Sequence, residues 1–217
     1  MKVYGYPKST CTRKVLMTLF EKSVPFKFEQ VNLAKAEQKA PDYIKRHHPF
    51  GVIPVLDDDG FQLYESRAIM RYLDKRVPGT SLSFSDIHSM GLMEQWISVE
   101  AAYLSEPAVQ LVKQLYWGPL QGLETDQALV ERAKDRVEQA LNVMEKGLTH
   151  QAYLAGDTFS LADISWMPYI DYLFPATLGH FISDRPAINR WWTEVSQRST
   201  WLKVVNFKVE SLNANSG

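Results

Sequence analysis

A small α/β domain followed by an all-α helical domain is the fold class that this 217-residue sequence predicts. Three observations predict it. Short apolar runs alternate with helical patterns up to residue 78, a breaker-rich stretch, PGTSLSFSD, covers 78–86, and strand signals are scarce beyond it. Residues 1–78 are read as the first domain, 79–86 as a linker and 87–217 as the helical domain.

The elements follow in order. KVYGY (Lys2 to Tyr6) reads as a strand ended by Pro7, and TRKVLMTLFEK sets Val15, Leu16, Leu19 and Phe20 on one helix face. PFKFEQVNL reads as a second strand through Phe26, Phe28 and Val31, and a weaker helical stretch runs from about Ala36 to Lys45. GVIPVLDDDGFQLYES predicts two strands joined at an Asp57–Gly60 turn. SRAIMRYLDKRV then carries Ala68, Ile69, Tyr72, Leu73 and Val77 on a helix face. A strand–helix–strand opening favours a parallel pair with a right-handed crossover, and the hairpin adds an antiparallel edge. Pro54 cannot donate to a ladder, so it belongs at a strand start or in a turn, where a cis bond is an option. In the second half, DQALVERAKDRVEQALNVMEKG places Val130, Ala133, Val137, Leu141 and Met144 on one stripe and is predicted to stop at Gly147. DTFSLADISWMPYIDYLF opens on Ser160 and Asp163, capping-box spacing, before a buried helix. PAINRWWTEVSQRS gives a further helix from Pro186.

Composition excludes several classes. Hydrophobic residues at 45% and charged ones at 23% describe a globular protein, and 24 Lys and Arg against 25 Asp and Glu argue against a general nucleic-acid binder. The single cysteine, Cys11, excludes an internal disulfide and a cysteine zinc cage and fits a reducing compartment. No apolar run approaches the roughly 20 residues that span a bilayer. The N-terminus lacks the pattern of a secretory signal, so cytoplasm is the default location. Asp57–Asp59 reads as a solvated turn rather than a metal cluster, His47 and His48 as loop residues without a carboxylate partner in sequence, and Trp191–Trp192 as core.

The segment YGYPKSTCTRK, from Tyr4, carries the chemistry. A serine between a strand and a helix ordinarily caps the helix. No G-x-S-x-G elbow surrounds Ser9, which argues against a nucleophilic serine. A helix start also favours an anion through its unbonded N–H groups and dipole. A thiol of pKa about 8.5 is only about 3% ionised at pH 7, and lowering it by two units needs roughly 2.7 kcal/mol. One hydroxyl bond to a charged acceptor, about 1.5–3 kcal/mol, together with the helix end supplies that amount. Ser9 can therefore serve as a donor to a thiolate.

These residues resemble the glutathione transferases, most closely their phi class. The class segment G-x-P-x-S-x-x-T-R-[RK]-V is matched by Gly5, Pro7, Ser9, Thr12, Arg13, Lys14 and Val15. EQKAPDY…HPFGVIPVL, LYESRAI from Leu63, YLAGDTFSLADIS and RWWTEVSQRSTWLKVV are similar to further motifs of that class, in the same order along nearly the whole chain. The resemblance implies a thioredoxin-like N-terminal domain that binds glutathione as co-substrate, with no further cofactor or metal. It also implies a helical domain that supplies much of the pocket for a hydrophobic electrophile. Carried over by residue, Ser9 donates to the glutathione sulfur. Gln38 and Lys39 meet the glycine carboxylate, Ile53 before Pro54 pairs its backbone with the cysteinyl part, and Glu65 and Ser66 hold the γ-glutamyl ammonium and carboxylate. Gln38 stands where many members have His, Val52 where most have Gln, and KRHHP is one residue longer than the usual RNP.

For the electrophile pocket the candidates are Tyr6, Pro7, Tyr103, Tyr116 and Trp117. Cys11, two residues past the serine, is expected to face the core. A thiol at a helix start can also have a lowered pKa, which opens a rival activity, thiol–disulfide exchange with glutathione. Two more activities compete on the same fold: glutathione-dependent peroxide reduction and non-catalytic carriage of apolar ligands. The family implies a homodimer, with Phe50 as the residue that keys one chain into the other, and neither a nucleic-acid nor a membrane partner.

Overall fold

The computed structural model describes residues 1–209. The chain divides into two compact units, Met1–Ser81 together with the segment from Arg198 on, and Leu82–Gln197.

The first unit is built on a four-stranded sheet of order β2-β1-β3-β4, with β1 Lys2–Gly5, β2 Lys27–Gln30, β3 Val55–Asp58 and β4 Phe61–Tyr64. β1 and β2 are parallel, joined through helix α1 (Thr10–Glu21), and the other pairs are antiparallel. The β3–β4 hairpin turns on Asp59 and Gly60, at φ 53° and 96°, as a two-residue turn with both φ positive requires. The aspartate triplet splits its roles. Asp59 is exposed, Asp57 accepts from Gly60 N at 2.8 Å, and Asp58 is buried, bonded to Tyr72 Oη at 2.7 Å and paired with Arg76. Asp58 therefore departs from the solvated turn that the sequence predicts.

Helix α2 (Pro41–Arg46) is shorter than the helical stretch predicted from Ala36. Ala36 sits at φ 53°, which ends one 3₁₀ turn (Leu33–Lys35) and starts another (Glu37–Lys39), so a helix can begin only at Pro41. Helix α3 (Ser66–Arg76) packs on α1, and Val3, Val15, Leu16, Leu19, Val55, Leu56, Ile69, Met70 and Leu73 form the core. Lys22 is buried at the end of α1, held by Asp74 Oδ1 at 3.3 Å and by the carbonyls of Asp74 and Thr80.

The second unit is helical. A continuous helical stretch runs through α4 (Ile87–Val99), a π turn (Glu100–Leu104), α5 (Ser105–Val112), a second π turn (Lys113–Trp117) and α6 (Gly118–Leu120). Then come α7 (Gln127–Leu148), α8 (Leu161–Leu173), α9 (His180–Ser183) and α10 (Pro186–Val195). α7 does not stop at Gly147. That glycine lies inside the helix, where an added Cβ would fall 2.4 Å from the Trp96 ring, so its role is close approach and not termination. α8 is almost wholly buried and begins with the predicted capping box. Asp163 accepts from Ser160 N at 2.9 Å, Leu154 N at 3.0 Å and Trp191 Nε1 at 2.9 Å.

The last predicted helix, over PAINRWWTEVSQRS, ends early: α10 stops at Val195, and a separate helix that the sequence reading lacks, α11 (Ser199–Val205), packs on α1. Arg198 binds Glu21 through two nitrogens at 2.9 Å, and Phe207 meets Phe20, Phe26 and Phe28. The end of the predicted 87–217 segment, residues 210–217, lies outside the described residues. No helix among the described residues is long and apolar enough to cross a membrane.

Candidate functional site

Strand register decides which loops meet. Gly5, last in β1, pairs with Gln30, last in β2; Tyr4 pairs with Val55, first in β3; and Val55 pairs with Tyr64, last in β4. The loops leaving β1, β2 and β4 and the loop entering β3 therefore share one end of the sheet. They carry Ser9, Gln38 and Lys39, Glu65 and Ser66, and Ile53 and Pro54 respectively. α1 and α3 both begin at this end, bringing two sets of unbonded N–H groups and two positive dipole ends with them.

Ser9 is the N-cap of α1, at φ −73° and ψ 131°, and its Oγ accepts from Thr12 N at 3.4 Å. That long bond uses an oxygen lone pair and leaves the hydroxyl proton for an acceptor outside the helix. Gly5 lets β1 approach α1 this closely, since a Cβ there would sit 2.8 Å from the Thr12 side chain. Thr12 Oγ1 in turn accepts from Tyr6 N at 3.3 Å, fixing the turn Tyr6–Pro7 beside the cap. Tyr6, Pro7 and Ser9 are all half-buried. Cys11 is a half-buried free thiol in the first turn of α1, not a residue enclosed in the core as the sequence leads one to expect.

Gln38 and Lys39 lie on the 3₁₀ turn Glu37–Lys39 and touch the loop before β3. Lys39 Nζ donates to the Phe50 carbonyl at 3.1 Å, and a Cβ on Gly51, at φ +60°, would lie 2.7 Å from the Gln38 carbonyl. Gly51 is thus the residue that admits the turn. Gln38 Oε1 is buried and has no hydrogen-bond partner among the described residues. Tyr43 Oη donates to the Val52 carbonyl at 3.0 Å, and burial pushes the pKa of that phenol up to about 12. The Ile53–Pro54 bond is cis.

Glu65 stands between β4 and α3 at φ 70°, a conformation that costs a non-glycine residue about 1–3 kcal/mol. Its carboxylate does not cap α3 and its side chain is 59% exposed, so the strained backbone presents an acid outward. Ser66, first in α3, is 3% exposed.

Sequence reasoning gives His48 no carboxylate partner; the fold supplies one. Its Nε2 lies 3.9 Å from Glu65 Oε1, its Nδ1 accepts from Phe50 N at 3.3 Å, and its ring, 1% exposed, packs on Tyr64 at 4.6 Å. Burial, reinforced by Lys39 and opposed by Glu65, moves the His48 pKa below the ordinary histidine value. The position of His48 directly before Pro49–Phe50–Gly51 was the available signal, since that loop returns to the site end of the sheet.

The helical-unit candidates separate. Tyr103, 63% exposed on the first π turn, lines a cavity of about 250 Å³ with Val99, Arg136, Gln139, Ala140 and Val143. Tyr116 and Trp117, on the second π turn, pack on each other at 4.7 Å and on Tyr172. Trp191 is fully buried as expected, whereas Trp192 is half-buried and stacks on Phe174. Among the described residues no group of His, Cys, Asp and Glu could hold a metal ion.

Comparison with known proteins bears on the family. The chain matches the family models for the glutathione S-transferase N-terminal domain over residues 8–76 and the glutathione S-transferase C-terminal domain over residues 97–199. It is 38% identical to glutathione S-transferase F11 of Arabidopsis thaliana, over 94% of this chain and 97% of that one, and 41% identical to glutathione S-transferase PM239X14 of the same plant, over 88% and 89%. The crystal structure of glutathione transferase F2 from Populus trichocarpa superposes with a TM-score of 0.90 at 36% identity, covering 97% of this chain and 99% of that one. Glutathione S-transferase I from mais, solved with an atrazine glutathione conjugate, superposes with a TM-score of 0.85 at 29% identity, covering 100% and 99%. These relatives, transferases by name, do not favour disulfide exchange, peroxide reduction or ligand carriage. With both family models matched in order and relatives aligned along nearly its full length, the chain belongs to the glutathione transferase family, in its phi class.

Proposed function

We propose that this transferase ionises bound glutathione against Ser9 and adds the resulting thiolate to hydrophobic electrophiles. The single observation that carries the reading is the N-cap of α1, where Ser9 accepts from Thr12 with a lone pair and keeps its O–H for a sulfur. The thiol proton leaves to solvent, the Ser9 hydroxyl and the helix end hold the negative sulfur, and a carbon–sulfur bond forms. In substitution, the leaving group departs with the electrons of the bond it breaks. In addition, the new carbanion takes a proton.

Gln38 and Lys39 are the groups for the glycine carboxylate, the Ile53 backbone before cis-Pro54 for the cysteinyl part, Ser66 for the γ-glutamyl carboxylate and Glu65 for its ammonium. The charges suit a tripeptide with two carboxylates and one ammonium. In this scheme residues 1–78 bind glutathione and offer Tyr6 and Pro7 to the electrophile, and 87–217, after the 79–86 linker, offer Tyr116 and Trp117; Tyr103, a candidate on sequence, lines instead the cavity assigned below to the dimer contact. The relative solved with an atrazine conjugate supports an apolar, ring-bearing electrophile. We assign the chain to the cytoplasm, which suits a free Cys11 thiol. It acts as a homodimer in which Phe50, 73% exposed, enters the cavity beside Tyr103 on the partner, since an exposed aromatic and a cavity walled in part by Val99, Ala140 and Val143 on one chain are self-complementary.

The test is Ser9→Ala with a chloronitrobenzene-type electrophile. Losing the whole of a two-unit shift from about 8.5 would lower the thiolate fraction at pH 7 by about 25-fold, and the helix end, which Ser9→Ala keeps, makes that the upper limit. A fall in kcat toward that limit with glutathione KM little changed is the expected result. A wild-type rate overturns the assignment of Ser9.

A further inference from the structure

We propose that His48 is a positioning residue through which acid weakens glutathione binding, by claiming the Glu65 carboxylate that otherwise receives the tripeptide's ammonium. This rests on the role given to Glu65 above. The tautomer follows from the hydrogen bond: Nδ1 accepts from Phe50 N at 3.3 Å, so the neutral ring carries its proton on Nε2, facing Glu65. At 3.9 Å that N–H is too far for a hydrogen bond, and Glu65 stays available to a ligand. The same separation is within reach of an ion pair once the ring is charged.

Protonation changes two contacts together. A proton on Nδ1 removes the acceptor for Phe50 N, loosening the loop that Lys39 Nζ also holds through the Phe50 carbonyl. The imidazolium then pairs with Glu65, so a ligand ammonium must displace it. The charged and titratable groups facing the ring are Glu65 ahead of α3, Lys39 on the 3₁₀ turn and the Tyr64 ring on β4. Burial and Lys39 favour the neutral ring, and Glu65 alone favours the charged one. A ligand ammonium bound to Glu65 would offset that carboxylate's pull. By linkage, ligand binding must lower the His48 pKa by the same coupling with which His48 protonation weakens the ligand.

The experiment measures the Kd of S-methylglutathione, which has no thiol to ionise, by calorimetry from pH 8 to 5.5. Wild type, His48→Asn and Glu65→Gln are compared, with melting curves confirming that each is folded. Wild-type Kd is expected to rise about fivefold or more as pH falls, the low end of ordinary site-to-site coupling, and His48→Asn to flatten that rise. The same pH slope in wild type and His48→Asn, or no slope in wild type, overturns the inference. Glu65→Gln separates the layers. Unchanged affinity at pH 8 overturns the Glu65 reading itself, whereas weakened affinity with an unaltered His48→Asn profile overturns only the role of His48. An NMR titration of wild-type imidazoles, with His48 assigned by its loss in His48→Asn, needs no variant to bind. Its midpoint must fall when S-methylglutathione saturates the site, and an unmoved midpoint contradicts the coupling.

Discussion

Asp163→Ala isolates how much of the helical unit hangs on one carboxylate. Asp163 is fully buried and collects three N–H groups, from Leu154, Ser160 and Trp191, together with the Ser160 hydroxyl. Burial alone pushes its pKa up, and those donors pull it back toward the charged form that they solvate. Alanine leaves three donors in space that water cannot easily reach. Each unmade bond costs about 1–3 kcal/mol before relaxation, so a net loss of about 3–5 kcal/mol is expected. For a chain of this size each kcal/mol moves Tm by about 2–4 °C, giving a fall of about 6–20 °C. Ser160→Ala removes only the cap hydroxyl and should cost about 1 kcal/mol. Circular-dichroism melts of the two variants decide the matter. If Asp163→Ala melts within about 3 °C of wild type, or no lower than Ser160→Ala, the hydrogen-bond reasoning is wrong.

Three further outcomes follow from other contacts. Gly147→Ala drives a Cβ to within 2.4 Å of the Trp96 ring and should cost about 1–3 kcal/mol through overpacking, read as a lowered urea midpoint. An unchanged midpoint would mean that Trp96 can step aside freely. Phe50→Ala should shift the light-scattering mass at micromolar concentration from twice the chain toward one chain, and retention of the double mass removes Phe50 as the key. Folding holds His48 neutral below its ordinary pKa. That contribution is therefore fully present above about pH 6.5 and is lost as pH falls through the lowered folded value. Tm should accordingly drop more steeply below pH 6 in wild type than in His48→Asn, and parallel curves would contradict the sign.

Much of this architecture is legible in the chain itself. Apolar runs and helical spacing locate β1, α1 and β2, the Asp57–Gly60 stretch locates the hairpin, and Ser160 with Asp163 announces α8, because each is a local signal. What escapes depends on distant contacts. Gly147 looks like a helix stop until Trp96, on another helix, is seen to need its space. RWWTEVSQRSTW gives no sign that α11 leaves α10 to pack on α1, a choice made by Glu21 and by the phenylalanines around Phe207. Ala36 is a good helix former by type and yet adopts φ 53°, just before the turn whose Gln38 carbonyl lies against Gly51. For the site, Ser9 is readable as a cap from its neighbours. The remaining glutathione candidates come through resemblance, and strand register brings their loops to one end of the sheet. His48 is missed because its partner is 17 residues away and only the return of β3 and β4 brings the two together.

The most direct test follows the sulfur itself by ultraviolet difference titration of glutathione bound to wild type and to Ser9→Ala. A thiolate held by the serine hydroxyl and the start of α1 should show a midpoint about two pH units below the free value of about 8.5, moved back most of the way in the variant. Coincident midpoints for free and wild-type-bound glutathione would contradict the account.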